Sequence, residues 1–295
     1  MIEALKQGDL VAIVATAKQL EREIDGAIDQ LEAWGLEVKV FDSVKAKSQY
    51  FAGADELRLA DCQQALDDES IKMILFARGG YGTTRILDQL DFSAFKKRPK
   101  WLCGFSDLTS LLLQVGRQNK AAIHGPMVYT LGQDAASDEM LRELLWGERS
   151  FSFDDSGIQV IQEGEVHAKI TGGNLSLVYE SIGAANEIDT EGKILFLEEI
   201  GEELYAIDRM MNKLKRTQKL EGLKGLILGD FTNIKDGSGY FHIDVNSLLL
   251  DYFKDLKGPI IQHFSAGHER QNYPILFHQE TRFTVEQRSV QLNYL

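Results

Sequence analysis

Ser106 stands in the run Trp101-Leu-Cys-Gly-Phe-Ser-Asp-Leu-Thr-Ser110, which is apolar up to Gly104 and then resumes as a helical apolar pattern. A strand that turns directly into a helix leaves one side chain exposed at the carboxyl edge of its sheet. The helix N-terminus then offers backbone N–H groups and a dipole to developing negative charge. This is the setting a nucleophilic serine needs, although of the Gly-x-Ser-x-Gly turn only the first glycine, Gly104, is present. A serine here could equally cap the helix, and on this segment alone capping is the more ordinary role.

Three further segments carry residues suited to acyl transfer. Arg78-Gly-Gly-Tyr-Gly82 follows a strand and precedes a helix, so its glycines let backbone approach a ligand closely. It is neither Gly-x-Gly-x-x-Gly nor a phosphate loop, and it reads either as an oxyanion-donor loop with an arginine for a carboxylate or as a plain surface turn. Of six histidines, His268 has the most suggestive context, Ser265-Ala-Gly-His-Glu-Arg-Gln-Asn272, and His124 in Ile123-His-Gly-Pro126 is its rival. No two histidines have metal-ligand spacing, so neither metal nor cofactor is expected. Glu198 and Glu199 end the strand-like run Lys193-Ile-Leu-Phe-Leu197, where a carboxylate could orient an imidazole. Strand alternation sends the two acids to opposite faces. Solvated acids at a strand end are the ordinary alternative.

The elements that must position these residues follow from apolar patterning. Leu10–Thr16, Glu37–Phe41, Ile71–Phe76 and Trp101–Gly104 read as buried strands. Leu20–Trp34, Ala54–Leu66 and Leu108–Val115 read as the helices between them. This alternation predicts an α/β fold, with a doubly wound, mostly parallel sheet over residues 1–150. The glycine loop and Ser106 then fall at carboxyl strand ends, where ligands bind such sheets. A polar, turn-rich linker is expected over 151–164. Beyond it, over 165–295, short strand-like runs and one amphipathic helix, Tyr205–Leu214, predict a β-rich second domain.

Composition narrows the function. At 295 residues, with 44% hydrophobic and 26% charged side chains, the chain is an ordinary globular protein of two-domain size. Its net charge of −13, from 45 acids and 32 bases, argues against nucleic acid or an anionic membrane as a partner. No membrane-length apolar run and no signal-like start are present, so a cytoplasmic location is expected. The two cysteines, Cys62 and Cys103, do not suggest a disulfide framework.

Taken in order, these segments resemble the LD-carboxypeptidase family of serine peptidases, which includes the microcin C self-immunity peptidases. The resemblance runs through Gln7-Gly-Asp-Leu-Val-Ala-Ile13, Arg78-Gly-Gly-Tyr-Gly82, Gly104-Phe-Ser-Asp-Leu-Thr109 and Ile123-His-Gly-Pro-Met127. It continues through Gly172-Gly-Asn-Leu-Ser176, Gly192–Glu202, Lys224–Gly229 and Gly267-His268. It implies a triad of Ser106, His268 and Glu198 split between the two domains, with the N–H groups of Gly80 and Asp107 as oxyanion hole. It also implies a murein tetrapeptide as substrate, cut at the L,D-bond to its terminal D-alanine, and a homodimer. Arg78 is the candidate for the substrate's terminal carboxylate. Departures from the family pattern fall at Ala15-Thr-Ala17, Glu269-Arg-Gln271 and Pro274–His278, which bear on substrate detail. Two alternatives stand beside this reading. One is an amidase of the microcin-immunity type acting on aminoacyl-nucleotide conjugates, and the other is a binding protein for a small anionic ligand.

Overall fold

A computed structural model describes residues 2–154, 157–237, 239 and 241–295. The chain forms two compact units, residues 1–148 with 270–276, and residues 149–269 with 277–295.

In the first unit, strands alternate with helices along the chain. They are β1 (Leu10–Val14), α1 (Asp25–Ala33), β2 (Glu37–Val40), α2 (Asp55–Asp67), β3 (Ile71–Phe76), α3 (Thr84–Leu87) and α4 (Ser93–Lys97). After these come β4 (Trp101–Gly104), α5 (Thr109–Arg117), β5 (Ala122–His124) and α6 (Ala135–Trp146). Val11–Val14, Met73–Phe76 and Trp101–Cys103 are wholly buried, as expected for strands covered on both faces. β1 pairs in parallel with both β2 and β3, β3 with β4, and β4 with β5. Strand order therefore reverses between β1 and β3, so the loops after those two strands flank the switch point where doubly wound sheets bind ligands, and the loop after β4 comes next to them.

The helical spacing from Leu20 is overridden as far as Ile24. Here Leu20 is buried, the Gln19 carbonyl accepts from Arg78 (3.2 Å), and the Arg22 guanidinium lies 4.1 Å from the Tyr129 ring centroid. These tertiary contacts use an irregular backbone, and α1 starts only at Asp25.

The second unit contains β6 (Ser150–Asp154), β7 (Gln159–Gln162), β8 (Gly164–Asn174), α7 (Leu175–Ser181), β9 (Ile194–Ile200), α8 (Leu204–Arg216) and β10 (Gly225–Thr232). It continues with α9 (Val245–Tyr252) and β11 (Ile260–Gln262), and after β12 (Ile275–Phe277) it ends in β13 (Glu280–Glu286) and β14 (Ser289–Tyr294). β12 joins the first sheet, in the order β12-β5-β4-β3-β1-β2, so the chain returns to the first unit before its last hairpin. The second sheet runs β6-β14-β13-β8-β9-β10-β11-β7. Its centre, β8 to β11, is parallel, and its flanks are antiparallel.

The linker expected over 151–164 is instead mostly strand. Phe151 and Phe153 alternate with serines, both are buried, and Phe153 packs edge-on against Phe264 with centroids 4.9 Å apart. That period-two pattern makes β6 an edge strand on β14. Residues 155 and 156 of the expected linker lie outside the described residues.

One glycine sets how closely β8 and β9 can approach. Gly172 has φ +135°, and a Cβ there would sit 1.8 Å from the backbone oxygen of Phe196. Gly201 has φ +78° but open space around it. Gly201→Ala should cost about 1 kcal/mol, whereas Gly172→Ala should cost roughly 3 kcal/mol or more because backbone must move as well. Denaturant titration of the two variants checks this, and equal losses would mean that the β8–β9 approach is not what requires glycine.

Candidate active site

The surroundings of the candidate serine are built where β4 runs into α5. Phe105 is still extended, at φ −148°, but Ser106 is left-handed at φ +61°, and a 3-10 turn over Ser106–Leu108 leads into the helix. Phe105 holds the N-cap position of the turn and Leu108 that of the helix, so Ser106 occupies neither. A serine in the left-handed region is a strained choice, of the kind that collects at functional positions.

The glycine-rich loop lies directly against this turn. A Cβ on Gly79 would stand 2.9 Å from Ser106 Cβ, 3.1 Å from its Oγ and 3.5 Å from the Asp107 backbone nitrogen. Gly80 has φ +113°, with Lys18 Cβ 2.7 Å and Tyr50 Oη 3.0 Å from where its own Cβ would be. Only glycine permits this approach.

Buried polar groups fix the loop. Asp107 Oδ2 accepts the Thr83 N–H at 2.9 Å, and the Thr16 and Thr83 hydroxyls meet at 2.9 Å. Burial pushes the Asp107 carboxyl above its ordinary range, against the pull of its hydrogen bonds from Thr83 and Gly82. Arg58, fully buried on α2, donates to the Gly82 carbonyl at 2.9 Å and to the Thr16 carbonyl, and pairs with Asp55. The loops after β1 and β3 are thus tied together by one guanidinium, a contact that the helix pattern of 54–66 gave no means of finding.

Arg78 opens the loop but is not a bare surface charge. Its guanidinium stacks over Tyr129 at 4.5 Å, donates to the Gln19 carbonyl and stands 3.7 Å from Glu21. Arg22 stacks on the same ring at 4.1 Å. An incoming carboxylate would find two arginines held by one tyrosine, with Glu21, an exposed side chain, as the competing anion.

The second unit holds a histidine–carboxylate pair of its own. His268 Nδ1 is 2.7 Å from Glu198 Oε2, and Glu198 has no exposed surface. Glu198 lies on the buried strand β9, two residues before its end, while His268 follows β11 in a loop where Gly267 adopts φ +145°. A side chain at Gly267 would come within 3.1 Å of Glu198 Oε2. Burial alone would lower the His268 pKa. The Glu198 charge and hydrogen bond, helped by Glu199 and Asp230, outweigh it and raise the value above its ordinary 6.5. Glu199 turns the other way and accepts from Asn174 Nδ2 (2.8 Å), Ser176 N–H (2.7 Å) and Ile200 N–H (2.9 Å), which anchors the start of α7. The rival His124 is fully buried at the end of β5, edge-on to Phe105.

The backbone of Ser106 gives a prediction independent of catalysis. Ser106→Gly should raise stability by roughly 1 kcal/mol over Ser106→Ala, because glycine relieves the left-handed strain and alanine keeps it. Urea unfolding of both variants measures the difference, and a less stable glycine variant would contradict the strain.

The LD-carboxypeptidase N-terminal domain matches residues 11–125, and the LD-carboxypeptidase C-terminal domain matches residues 167–283. A probable murein peptide carboxypeptidase of Bacillus subtilis (strain 168) is 36% identical over 274 residues, covering 90% of this chain and 86% of the relative. The crystal structure of muramoyltetrapeptide carboxypeptidase from Oxalobacter formigenes superimposes with a TM-score of 0.85 at 26% identity, covering 97% of this chain and 98% of that one. The microcin C7 self-immunity protein MccF, in complex with aspartyl sulfamoyl adenosine, shares the fold at a TM-score of 0.87 and 16% identity, covering 99% and 98% of the two chains. Both domain matches and the Bacillus relative agree over nearly the whole sequence: the chain belongs to the LD-carboxypeptidase family and is a serine-type peptidase, not merely a ligand-binding protein.

Proposed function

We propose that this carboxypeptidase hydrolyses the L,D-peptide bond to the terminal D-alanine of murein tetrapeptides, with Ser106, His268 and Glu198 as its triad. The observation that carries the reading is the Glu198–His268 pair, a fully buried carboxylate 2.7 Å from an imidazole nitrogen. Glu198 accepts the Nδ1–H, which leaves Nε2 with its lone pair to take the proton of Ser106 Oγ. The serine oxygen attacks the scissile carbonyl, and the oxyanion is held by the N–H groups of Gly80 and Asp107. His268 then returns its proton to the departing D-alanine amine. Water, activated by the same imidazole, releases the acyl group from Ser106. Removing one oxyanion donor costs ~3 kcal/mol in comparable sites. Arg78 takes the terminal carboxylate, displacing Glu21, with the Arg22–Tyr129 stack behind it. A cytoplasmic location and a homodimer belong to the same reading.

An amidase of the microcin-immunity type has one observation in its favour. Tyr50 and Tyr81, about half exposed at 42% and 50%, flank the loop of Gly80 and could stack a base. Mass spectrometry of products from a panel separates the readings. The panel comprises murein tri-, tetra- and pentapeptides, the tetrapeptide with its terminal carboxylate amidated, and an aminoacyl sulfamoyl nucleoside. Release of D-alanine from the free tetrapeptide alone is expected, and Arg78→Met should lose about tenfold or more on it, with little effect on residual amide cleavage. Equal cleavage of acid and amide, or preference for the nucleoside, would overturn the carboxypeptidase specificity.

The pH dependence has a definite sign. The general base must be neutral, and the His268 pKa is raised above 6.5, so kcat/KM should rise with pH through an ionisation above that value. Glu198→Gln removes the charge that favours the imidazolium, so the same ionisation should move down while turnover falls. An acid limb unmoved in Glu198→Gln would detach the pair from the rate.

A further inference from the structure

Asp230 has no place in the triad, yet the sheet bends to bring it there. Along the β9–β10 ladder Leu228 pairs with Leu197 and Phe231 with Glu199, so the register shifts between them. Glu198 alone opposes both Gly229 and Asp230, which makes a bulge at the strand end, a device that re-aims side chains beside functional sites. The bulge grips the loop that carries His268. The Asp230 N–H donates to the Ala266 carbonyl at 3.0 Å, and the Asp230 carboxylate accepts the Glu269 N–H. Two residues on, Thr232 Oγ1 donates to Glu269 Oε1 at 2.9 Å. Gly267 passes between Asp230 and Glu198, since a Cβ there would lie 3.1 Å from Asp230 Cβ and 3.1 Å from Glu198 Oε2. His268 is therefore held between two anchor points on the same strand end, two residues after Ala266 and one before Glu269.

We propose that Asp230 is a positioning residue for His268: its bulge clamps residues 266–269 in register with Glu198 and places a second carboxylate in the field of the imidazole. This rests on His268 acting as general base. The charged groups around the imidazole are Glu198 and Glu199 on β9, Asp230 on β10 and Glu269 beside it on the loop. Burial, with Glu269 and Glu198 nearby, raises Asp230 from its ordinary 3.8 to about 7. Asp230 and the imidazole thus act on each other: the carboxylate raises the imidazole and the imidazolium lowers the carboxyl.

Two variants test the clamp and the field separately. Asp230→Asn keeps an acceptor for the Glu269 N–H and removes the charge. Asp230→Ala removes both. NMR titration of the His268 ring should show its pKa lowered by at least about half a unit in Asp230→Asn, with the acid limb of kcat/KM moving equally and plateau kcat within about threefold of wild type. Asp230→Ala should lose roughly tenfold or more in kcat at nearly constant KM, because the loop loosens without touching substrate binding. A His268 titration unmoved in Asp230→Asn, or a plateau kcat unchanged in Asp230→Ala, overturns the proposal. A ring titration that moves while the acid limb stays fixed supports the reach of Asp230 and overturns instead the role of His268 as base.

Discussion

A carboxylate with no exposed surface has to be compensated, and at Glu198 the compensation is a single imidazole 2.7 Å away. Desolvating an acid is expensive unless a partner stabilises it, and removing one partner of a buried pair costs far more than the pair contributes. The second unit is organised around that constraint. β9 delivers the acid at the end of a buried apolar run, Gly267 lets the histidine loop pass close to it, and the β10 bulge holds that loop from the other side. Glu199, one residue on, is spent on three hydrogen-bond donors around the start of α7. Adjacent acids on one strand thus have separate tasks, set by the two-residue repeat of the pleat.

The first unit meets a comparable constraint with backbone instead of charge. Ser106 is held left-handed, and the glycine loop crosses it so closely that Gly79 has no room for a methyl group. Buried donors and acceptors on Arg58, Thr16, Thr83 and Asp107 lock that approach. The N-cap position of α5 belongs to Leu108, and a strained serine beside a glycine loop fits the preorganised electrostatics that acyl transfer demands.

The strands were legible because parallel strands buried on both faces are written as continuous apolar runs, as in Val11–Val14 and Ile194–Leu197. Ser106 was visible for the same reason, as the first polar residue after such a run. The separate faces of Glu198 and Glu199 could be anticipated from alternation alone. Other features depend on contacts that no local pattern encodes. Leu20–Ile24 has helical spacing but is held irregular by Arg22 on Tyr129 and by Gln19 beneath Arg78. Ser150–Asp154 looked like polar linker because serines alternate with its phenylalanines, and the return of residues 270–276 to the first unit follows from tertiary packing. Asp230 has no signature in the sequence because a bulge changes which way a side chain points without changing the pattern around it.

The proposed triad requires that Ser106 be activated by the Glu198–His268 pair. The most direct measurement is the rate of covalent labelling by a fluorophosphonate, with the modified residue identified by peptide mass spectrometry in wild type, His268→Ala and Glu198→Gln. Such a triad gives one adduct, on Ser106, formed at a rate that rises with pH through an ionisation above 6.5 and falls by about a hundredfold or more when His268 is removed. Labelling of Ser106 at an undiminished rate in His268→Ala, or an adduct on any other residue, would contradict it.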